Sequence, residues 1–203
     1  MLAIIQARSN SKRFNKKILF SIKGRPIIDH VFLRVKKSKN ISKIVVATSK
    51  NKSDDELVTH LKKNKINYFR GELDNVSKRL SDAAKKYKQN VFVRINGDSP
   101  LIDYKIIDKA VKIYQKNKKK FDIITNVFPR TFPKGQSVEI IKTHILSKNL
   151  HKMNKFQKEH VTIFFYKNAF QYNIKNFKSK KKLNIDLAVD EKRDIHKIIK
   201  LIN

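Results

Sequence analysis

Two short stretches hold the side chains best suited to chemistry on an anionic, phosphorylated substrate. Residues 7–17 read Ala7-Arg8-Ser9-Asn10-Ser11-Lys12-Arg13-Phe14-Asn15-Lys16-Lys17, a loop of hydroxyls and cations. Backbone N–H groups and fixed positive charge of this kind can wrap a triphosphate. The second stretch, Asn96-Gly97-Asp98-Ser99-Pro100, presents one carboxylate on a tight turn. Mg²⁺ takes one or two carboxylates plus phosphate oxygens and water, which makes Asp98 a natural metal ligand. Taken singly, each stretch has a plain alternative: a basic loop in so cationic a chain is ordinarily solvated surface, and Gly-Asp is a common turn. Their weight comes from where the fold must put them together.

Residues 2–5 form a continuous apolar run that suits a buried parallel strand opening into the basic loop. After Gly24-Arg25-Pro26, residues Ile27, Ile28, Val31, Phe32 and Val35 recur at three- and four-residue spacing, which makes one helical face. The alternation continues with a strand at 43–48 and a helix that Ser53-Asp54-Asp55-Glu56 starts and that runs to about residue 63. A shorter strand at 67–69 and a helix over 75–87 follow. A strand at 91–95 leads into the Gly97-Asp98 turn, and Asp103 caps a helix with Ile106, Ile107, Ala110, Val111 and Tyr114 inward. Residues 121–125 read as the next strand. This alternation predicts right-handed βαβ units and a parallel sheet, in which ligands bind at the carboxyl ends of the strands. Both chemical stretches fall at such ends. The last third is less regular: strands are expected at 138–141, 170–174 and 183–187, a helix over 158–166, and a closing helix from about residue 191. No repeat or linker interrupts the chain, so one domain over 1–203 is expected.

Hydrophobic residues make up 40% of the 203 residues, enough to core one domain but tight for two. Cysteine is absent, which excludes disulfides, Cys-based zinc sites and a thiol nucleophile and fits a reducing compartment. No apolar run approaches the ~20 residues that span a bilayer, and the apolar start is shorter than the ~7 to 15 residues of a signal-peptide core. A cytoplasmic location is the simplest expectation. The net charge of +31 invites a nucleic-acid partner. Against it, 39 of the 48 basic residues are Lys and only 9 are Arg, beside 26 Ile and 18 Asn, all abundant types having A/T-rich codons. Compositional drift spreads Lys over every solvated face, whereas nucleic-acid readers concentrate Arg and interleave aromatics. The Lys runs at 118–120 and 178–182 read as solvated loops.

Gln6-Ala7-Arg8 with Ser11, Arg13 and Lys17, then Gly24-Arg25-Pro26, Val45-Val46-Ala47-Thr48, Phe69-Arg70-Gly71, Arg94-Ile95-Asn96-Gly97-Asp98-Ser99-Pro100-Leu101-Ile102-Asp103, Glu159-His160-Val161-Thr162 and Val189-Asp190-Glu191-Lys192-Arg193-Asp194 occur in order. Together they resemble the cytidylyltransferases of the spore-coat-polysaccharide type, relatives of the CMP-sialic-acid and CMP-Kdo synthetases. The resemblance covers nearly the whole chain and is most specific over 94–103. It implies an α/β fold with a Rossmann-like, mostly parallel sheet flanked by helices, the glycosyltransferase-A-type nucleotidyltransferase fold. Residues of about 1–125 would bind the nucleotide and those of about 126–203 the acceptor sugar.

By the same resemblance, Ala7 and Arg8 would contact the nucleotide, Arg13 and Lys17 the phosphates, and Arg79 the base or ribose side, with Ser11 and Asp98 also in the nucleotide-binding set. Asp98 and Asp190 would hold Mg²⁺, Arg8, Lys17 and Asp98 would serve catalysis, and Glu139 and His160 would meet the acceptor. The implied partners are CTP and a small acidic sugar, with a homodimer expected. The implied reaction is attack of a sugar hydroxyl on the α-phosphorus with release of pyrophosphate, which asks the protein mainly for positioning and charge neutralisation. Asp190 has a second reading as a cap of the last helix, and His160 one as a structural histidine. The chain departs from the pattern at Asn10 and Lys16, where relatives usually carry Gly, at Asn15 in place of Pro, and at Ser137 in place of Asp. Lys16 in a left-handed conformation would be strained. Two rival functions remain: a glycosyltransferase, for which an Asp-x-Asp at the nucleotide end is missing, and a basic nucleic-acid binder. Neither the acceptor nor the choice of CTP over another triphosphate follows from these motifs.

Overall fold

A strand with no polar side must be covered on both faces, and Leu2, Ala3, Ile4 and Ile5 form such a strand in the computed structural model, which describes residues 1–10, 13–117, 120–180 and 185–202. This strand, β1 (Leu2–Gln6), is followed by a two-residue hairpin, β2 (Ser21–Ile22) and β3 (Arg25–Pro26), and by α1 (Ile27–Lys36). Then come β4 (Lys43–Ser49), α2 (Asp55–Lys63), β5 (Tyr68–Gly71), α3 (Val76–Lys86), β6 (Val91–Asn96) and α4 (Tyr104–Asn117). The remaining elements are β7 (Ile123–Thr125), β8 (Glu139–Lys142), α5 (Thr143–Asn149), α6 (Lys155–Glu159), α7 (Ile163–Lys167), β9 (Ile174–Asn176) and α8 (Asp194–Leu201). Seven strands make one sheet in the order β5-β4-β1-β6-β8-β7-β9. β1 pairs in parallel with β4 and with β6, and β4 with β5.

Side chains alternate across the sheet. Ala3 and Ile5 enter a core with Ile28, Val31 and Val35 of α1, Leu57 and Leu61 of α2, and Ile107, Ala110 and Val111 of α4. Leu2 and Ile4 enter the opposite core with Leu80, Ala83 and Ala84 of α3, Leu146 of α5, and Phe164 and Phe165 of α7. The sheet is therefore sandwiched by helices on both faces. A third, smaller core lies at the side: Phe14 of the basic loop, Ile22 and Leu101 pack against Ile195 and Ile198 of the closing helix and Ile202 just after it. It ties the basic loop to the chain's last helix. Among the described residues no helix is long and apolar enough to cross a membrane.

The later elements depart from the sequence-based expectation. β8 runs antiparallel to both β6 and β7. Residues 126–138 contain no helix, and without a crossover helix the chain re-enters the sheet from the edge it left and must run backwards. The helix expected over 158–166 is two helices, because Val161 takes φ 35° between α6 and α7. The strand expected at 170–174 is replaced by a 3-10 turn over Ala169–Gln171, with β9 starting at Ile174. Residues 183 and 184 of the strand expected at 183–187 lie outside the described residues, and Asp186 forms a single parallel bridge to Lys134.

Candidate active site

The basic loop leaves β1 at the carboxyl edge, pressed against the end of β6. The Gly97 N–H donates to the Gln6 carbonyl at 2.9 Å, and the Ala7 N–H to the Ala47 carbonyl at 3.1 Å. A Cβ at position 97 would sit 2.9 Å from that Gln6 oxygen and 3.0 Å from Ala7 Cβ, so only glycine lets the two strand ends meet. The loop is then fixed from below by Asp54, whose carboxylate is fully buried. One oxygen accepts from the Ser9 N–H at 2.6 Å; the other accepts from the Ser49 N–H at 3.1 Å and from the Ser49 hydroxyl. The sequence reading left Asp54 at a helix start. Asn51 instead caps the turn before α2, accepting from the Ser53 N–H at 2.9 Å. Lys16 adopts φ 52°, the left-handed conformation expected of it, with its N–H donated to the Ser9 carbonyl at 2.9 Å and its ammonium on Glu56 at 2.6 Å.

At the loop's end, four charged groups converge. The Lys17 side chain is only 9% exposed, and its Nζ lies 3.4 Å from Asp98 Oδ2 and 3.7 Å from Asp190 Oδ1. Arg13 Nη2 is 3.6 Å from the same Asp190 oxygen. The tail reaches this point because the Val189 N–H donates to the Asp98 carbonyl at 2.9 Å. Asp190 is not the helix cap: Asp194 Oδ2 accepts the N–H groups of Asp190 and Glu191, each at 2.8 Å. Burial alone would raise the Asp194 carboxyl, but these two donors and the charges of Lys197 and Arg193 hold it below its ordinary 3.8. The Asp190 carboxylate is thereby left to face Lys17. Two carboxylates around one ammonium form an oxygen-rich, cation-seeking cluster, and two carboxylates with phosphate and water complete a Mg²⁺ shell. Asp98 and Asp190 therefore fit that ion.

Arg8 Nη2 lies 2.5 Å from Glu159 Oε1, which joins the basic loop to the end of α6. Arg79 is placed otherwise than expected. It is 2% exposed, and its Nη1 donates to the carbonyls of Glu72 at 2.6 Å and Leu73 at 3.2 Å, so it supports the loops from beneath instead of facing a base or ribose. Its Nε is buried without a partner. Burial first, and then the Arg8 charge, push its guanidinium down to about 10, against the opposing pull of Asp54. Ser11 lies outside the described residues.

On the far side of β6, Glu139 is 2% exposed and engaged by Arg94 Nη1 and by the Tyr166 hydroxyl. Arg94 Nε also donates to Gln6 Oε1 at 2.7 Å, and Tyr166 shares a 2.8 Å bond with Thr125. Burial, then the Glu139 charge, raises the Tyr166 phenol well above its ordinary value. Glu139 thus positions Arg94 and Tyr166. His160 is exposed at the end of α6, its ring 4.4 Å from that of Phe156. The segment 126–138 is pinned by two buried amides. Asn126 donates to the Gln136 carbonyl at 2.7 Å and accepts from the Val138 N–H at 2.9 Å; Gln136 donates to the Leu101 carbonyl at 2.7 Å and accepts from the Asp103 N–H at 2.9 Å. The Gln136 bonds seat this segment on the Asp98 turn's continuation. Phe128 stacks on Tyr166 with centroids 4.6 Å apart, and Arg130 Nη1 donates to Ser137 Oγ at 3.1 Å.

A sequence model described as a cytidylyltransferase matches residues 2–202. The chain belongs to the cytidylyltransferase family. It is 35% identical over 175 residues to an uncharacterized protein of Methanocaldococcus jannaschii, across 86% of this chain and 70% of that one. The spore coat polysaccharide biosynthesis protein SpsF of Bacillus subtilis is 26% identical across 98% of this chain and 84% of its own. A 3-deoxy-manno-octulosonate cytidylyltransferase of Geotalea uraniireducens is 34% identical, across 54% of this chain and 43% of that enzyme. Among solved structures, a cytidylyltransferase from Leptospira borgpetersenii serovar Hardjo-bovis superposes with a TM-score of 0.88 at 28% identity, covering 98% of this chain and 94% of that one.

In this cytidylyltransferase, the expected residues Arg13, Lys17, Asp98 and Asp190 form one cluster, with Ala7 and Arg8 beside it on the same loop. Glu139 belongs to a separate buried network and Arg79 to the foundation of the loop. Sequence reasoning missed Asp54, Asn126 and Gln136. A carboxylate or amide next to a strand end was their only signal, and such residues are ordinary in turns.

Proposed function

We propose that this enzyme transfers CMP from CTP to a hydroxyl of a sugar acid, with Mg²⁺ as cofactor and release of pyrophosphate, for surface-polysaccharide or glycan synthesis. The acceptor oxygen forms a bond to the α-phosphorus, the bond from that phosphorus to the pyrophosphate oxygen breaks, and one proton is released. The observation that carries this reading is the meeting of Lys17 with Asp98 and Asp190 at the carboxyl edge of the sheet, beside a loop of cations and backbone N–H groups. The cytidylyltransferase relatives support the choice of base, and the acceptor named for the Geotalea enzyme supports a sugar acid.

In this reading Lys17 and Arg13 offset the triphosphate charge, and Ala7 and Arg8 orient the nucleotide. Arg8 begins on Glu159 and exchanges that carboxylate for the nucleotide. Asp98 and Asp190 would hold Mg²⁺, which when bound supplies charge neutralisation at the phosphates. Holding both substrates in line is the larger part of the catalysis. In the same reading His160, exposed at the end of α6 next to Glu159, meets the acceptor.

The test is pyrophosphate release from each of four nucleoside triphosphates with Mg²⁺ and a panel of sugar acids. Activity with CTP and an acid, lost in Asp98→Asn at unchanged circular dichroism, is the expected result. An Asp98→Asn enzyme with full turnover sinks the assignment of the metal site, and equal use of all four triphosphates sinks the preference for CTP.

A further inference from the structure

An anionic acceptor needs a cation that no carboxylate of the protein already neutralises. At the carboxyl edge of the sheet, the arginines are mostly committed. Arg8, Arg13, Arg70 and Arg94 face the carboxylates of Glu159, Asp190, Asp55 and Glu139. Arg79 is sealed beneath the loops with its Nη1 on backbone carbonyls. Among the described arginines of this edge, Arg130 differs: it is exposed, and the partner of its guanidinium is neutral, Ser137 Oγ at 3.1 Å.

The position of Arg130 is built. Val127 and Arg130 close a tight antiparallel bridge, Asn176 Nδ2 holds the Pro129 carbonyl at 3.0 Å, and the segment's far end is locked by Gln136 on Leu101 and Asp103. The Ser137 contact uses one nitrogen and orients the planar fork, which is suited to grip a carboxylate by two parallel bonds. On the same segment, Phe128 is 38% exposed and lies parallel to Tyr166, tilted by only 4°. The ring offers an apolar surface for sugar C–H groups, and the guanidinium a cation for an acid group.

We propose that Arg130, oriented by Ser137, anchors the carboxylate of the acceptor and sets the preference of the enzyme for a sugar acid. This rests on the functional reading above and specifies its acceptor side. The experiment compares 3-deoxy-manno-octulosonate and N-acetylneuraminate with their methyl esters as acceptors, using the wild-type enzyme, Arg130→Ala and Ser137→Ala. Arg130→Ala raises the KM for the acid about tenfold or more, the loss of a charge-assisted contact, while the KM for CTP stays within about twofold. It also abolishes the preference for acid over ester. Ser137→Ala keeps Arg130 but removes the contact that orients it, and raises the acid KM by a smaller factor. An Arg130→Ala enzyme that still prefers the acid as strongly as wild type overturns the proposal and leaves the cytidylyl-transfer reading intact. Turnover of neutral sugars alone, or of no acid with CTP, overturns the functional reading and the anchor with it.

Discussion

Asp54→Asn is the substitution that most sharply tests how the basic loop is held. The carboxylate is fully buried and accepts three bonds, from Ser9 N–H at 2.6 Å on one oxygen and from Ser49 N–H and hydroxyl on the other. An amide of the same shape can orient its oxygen to only one of the two backbone donors. Whichever way it turns, its NH₂ opposes the other N–H. A buried donor left unsatisfied costs about 1–3 kcal/mol, and the surviving bonds lose their charge assistance, worth about another 1 kcal/mol. Arg79 also loses the nearby charge that offsets its burial and the repulsion of Arg8. Together these make about 3 kcal/mol, or about 6–12 °C in Tm for a chain of this size. Because Ser9 is the loop residue released, the affinity for CTP falls by about tenfold as well. Urea unfolding and calorimetric CTP titration measure the two effects. A variant within about 0.5 kcal/mol of wild type that binds CTP equally well refutes the argument that Asp54 holds the loop.

Gly97→Ala places a methyl 2.9 Å from the Gln6 carbonyl oxygen and 3.0 Å from Ala7 Cβ. Since the obstacle is backbone, relief requires the ends of β1 and β6 to separate, at a cost of about 1–3 kcal/mol. Thermal unfolding reads that loss, and turnover drops with it because Asp98 is the next residue. Asp194→Asn tests the anchor of the tail. The native carboxyl is held below its ordinary 3.8. Its stabilising contribution is therefore present above the unfolded value and is lost as pH falls through the folded one. The stability gap between wild type and Asp194→Asn, followed by urea midpoints, is largest at neutral pH and narrows below about pH 4. A gap independent of pH contradicts the assignment.

The first 125 residues were legible because their strands are mostly apolar on both sides and their helices show regular stripes. Residues 2–5 and 45–48 are buried runs, Phe92, Val93 and Ile95 are buried in β6, and Ile28, Val31 and Val35 mark a face that the core indeed covers. The same pattern located Lys17 and Asp98 at strand ends. The later part was harder for identifiable reasons. The segment Thr143–Asn149 is short and mixed in character, so α5 left no periodic signal. The helical periodicity of 158–166 runs through Val161, whose backbone breaks it. The direction of β8 depends on the helix-free connection before it, which periodicity does not encode. Asp54 and Asp194 exchanged roles with their neighbours, because sequence shows an acid near a helix start but not which way its side chain turns.

The reversed strand β8 also makes the enzyme modular. Where every strand runs the same way, each loop at the working edge feeds a helix, and altering that loop disturbs the helix behind it. The segment between β7 and β8 departs from and returns to the same edge, with no helix in its path. Its anchors, Asn126 at one end and Gly135 and Gln136 at the other, lie near its base. Residues 127–134 are also tied along their length, Pro129 to Asn176, Thr131 to Ser179 and Lys134 to Leu187, so an insert grafted here must keep those contacts. Grafting a different insert on those terms is a route to new acceptors in which β1, β4 and β6, whose ends lead into the loops of Lys17, Asp54 and Asp98, keep their register.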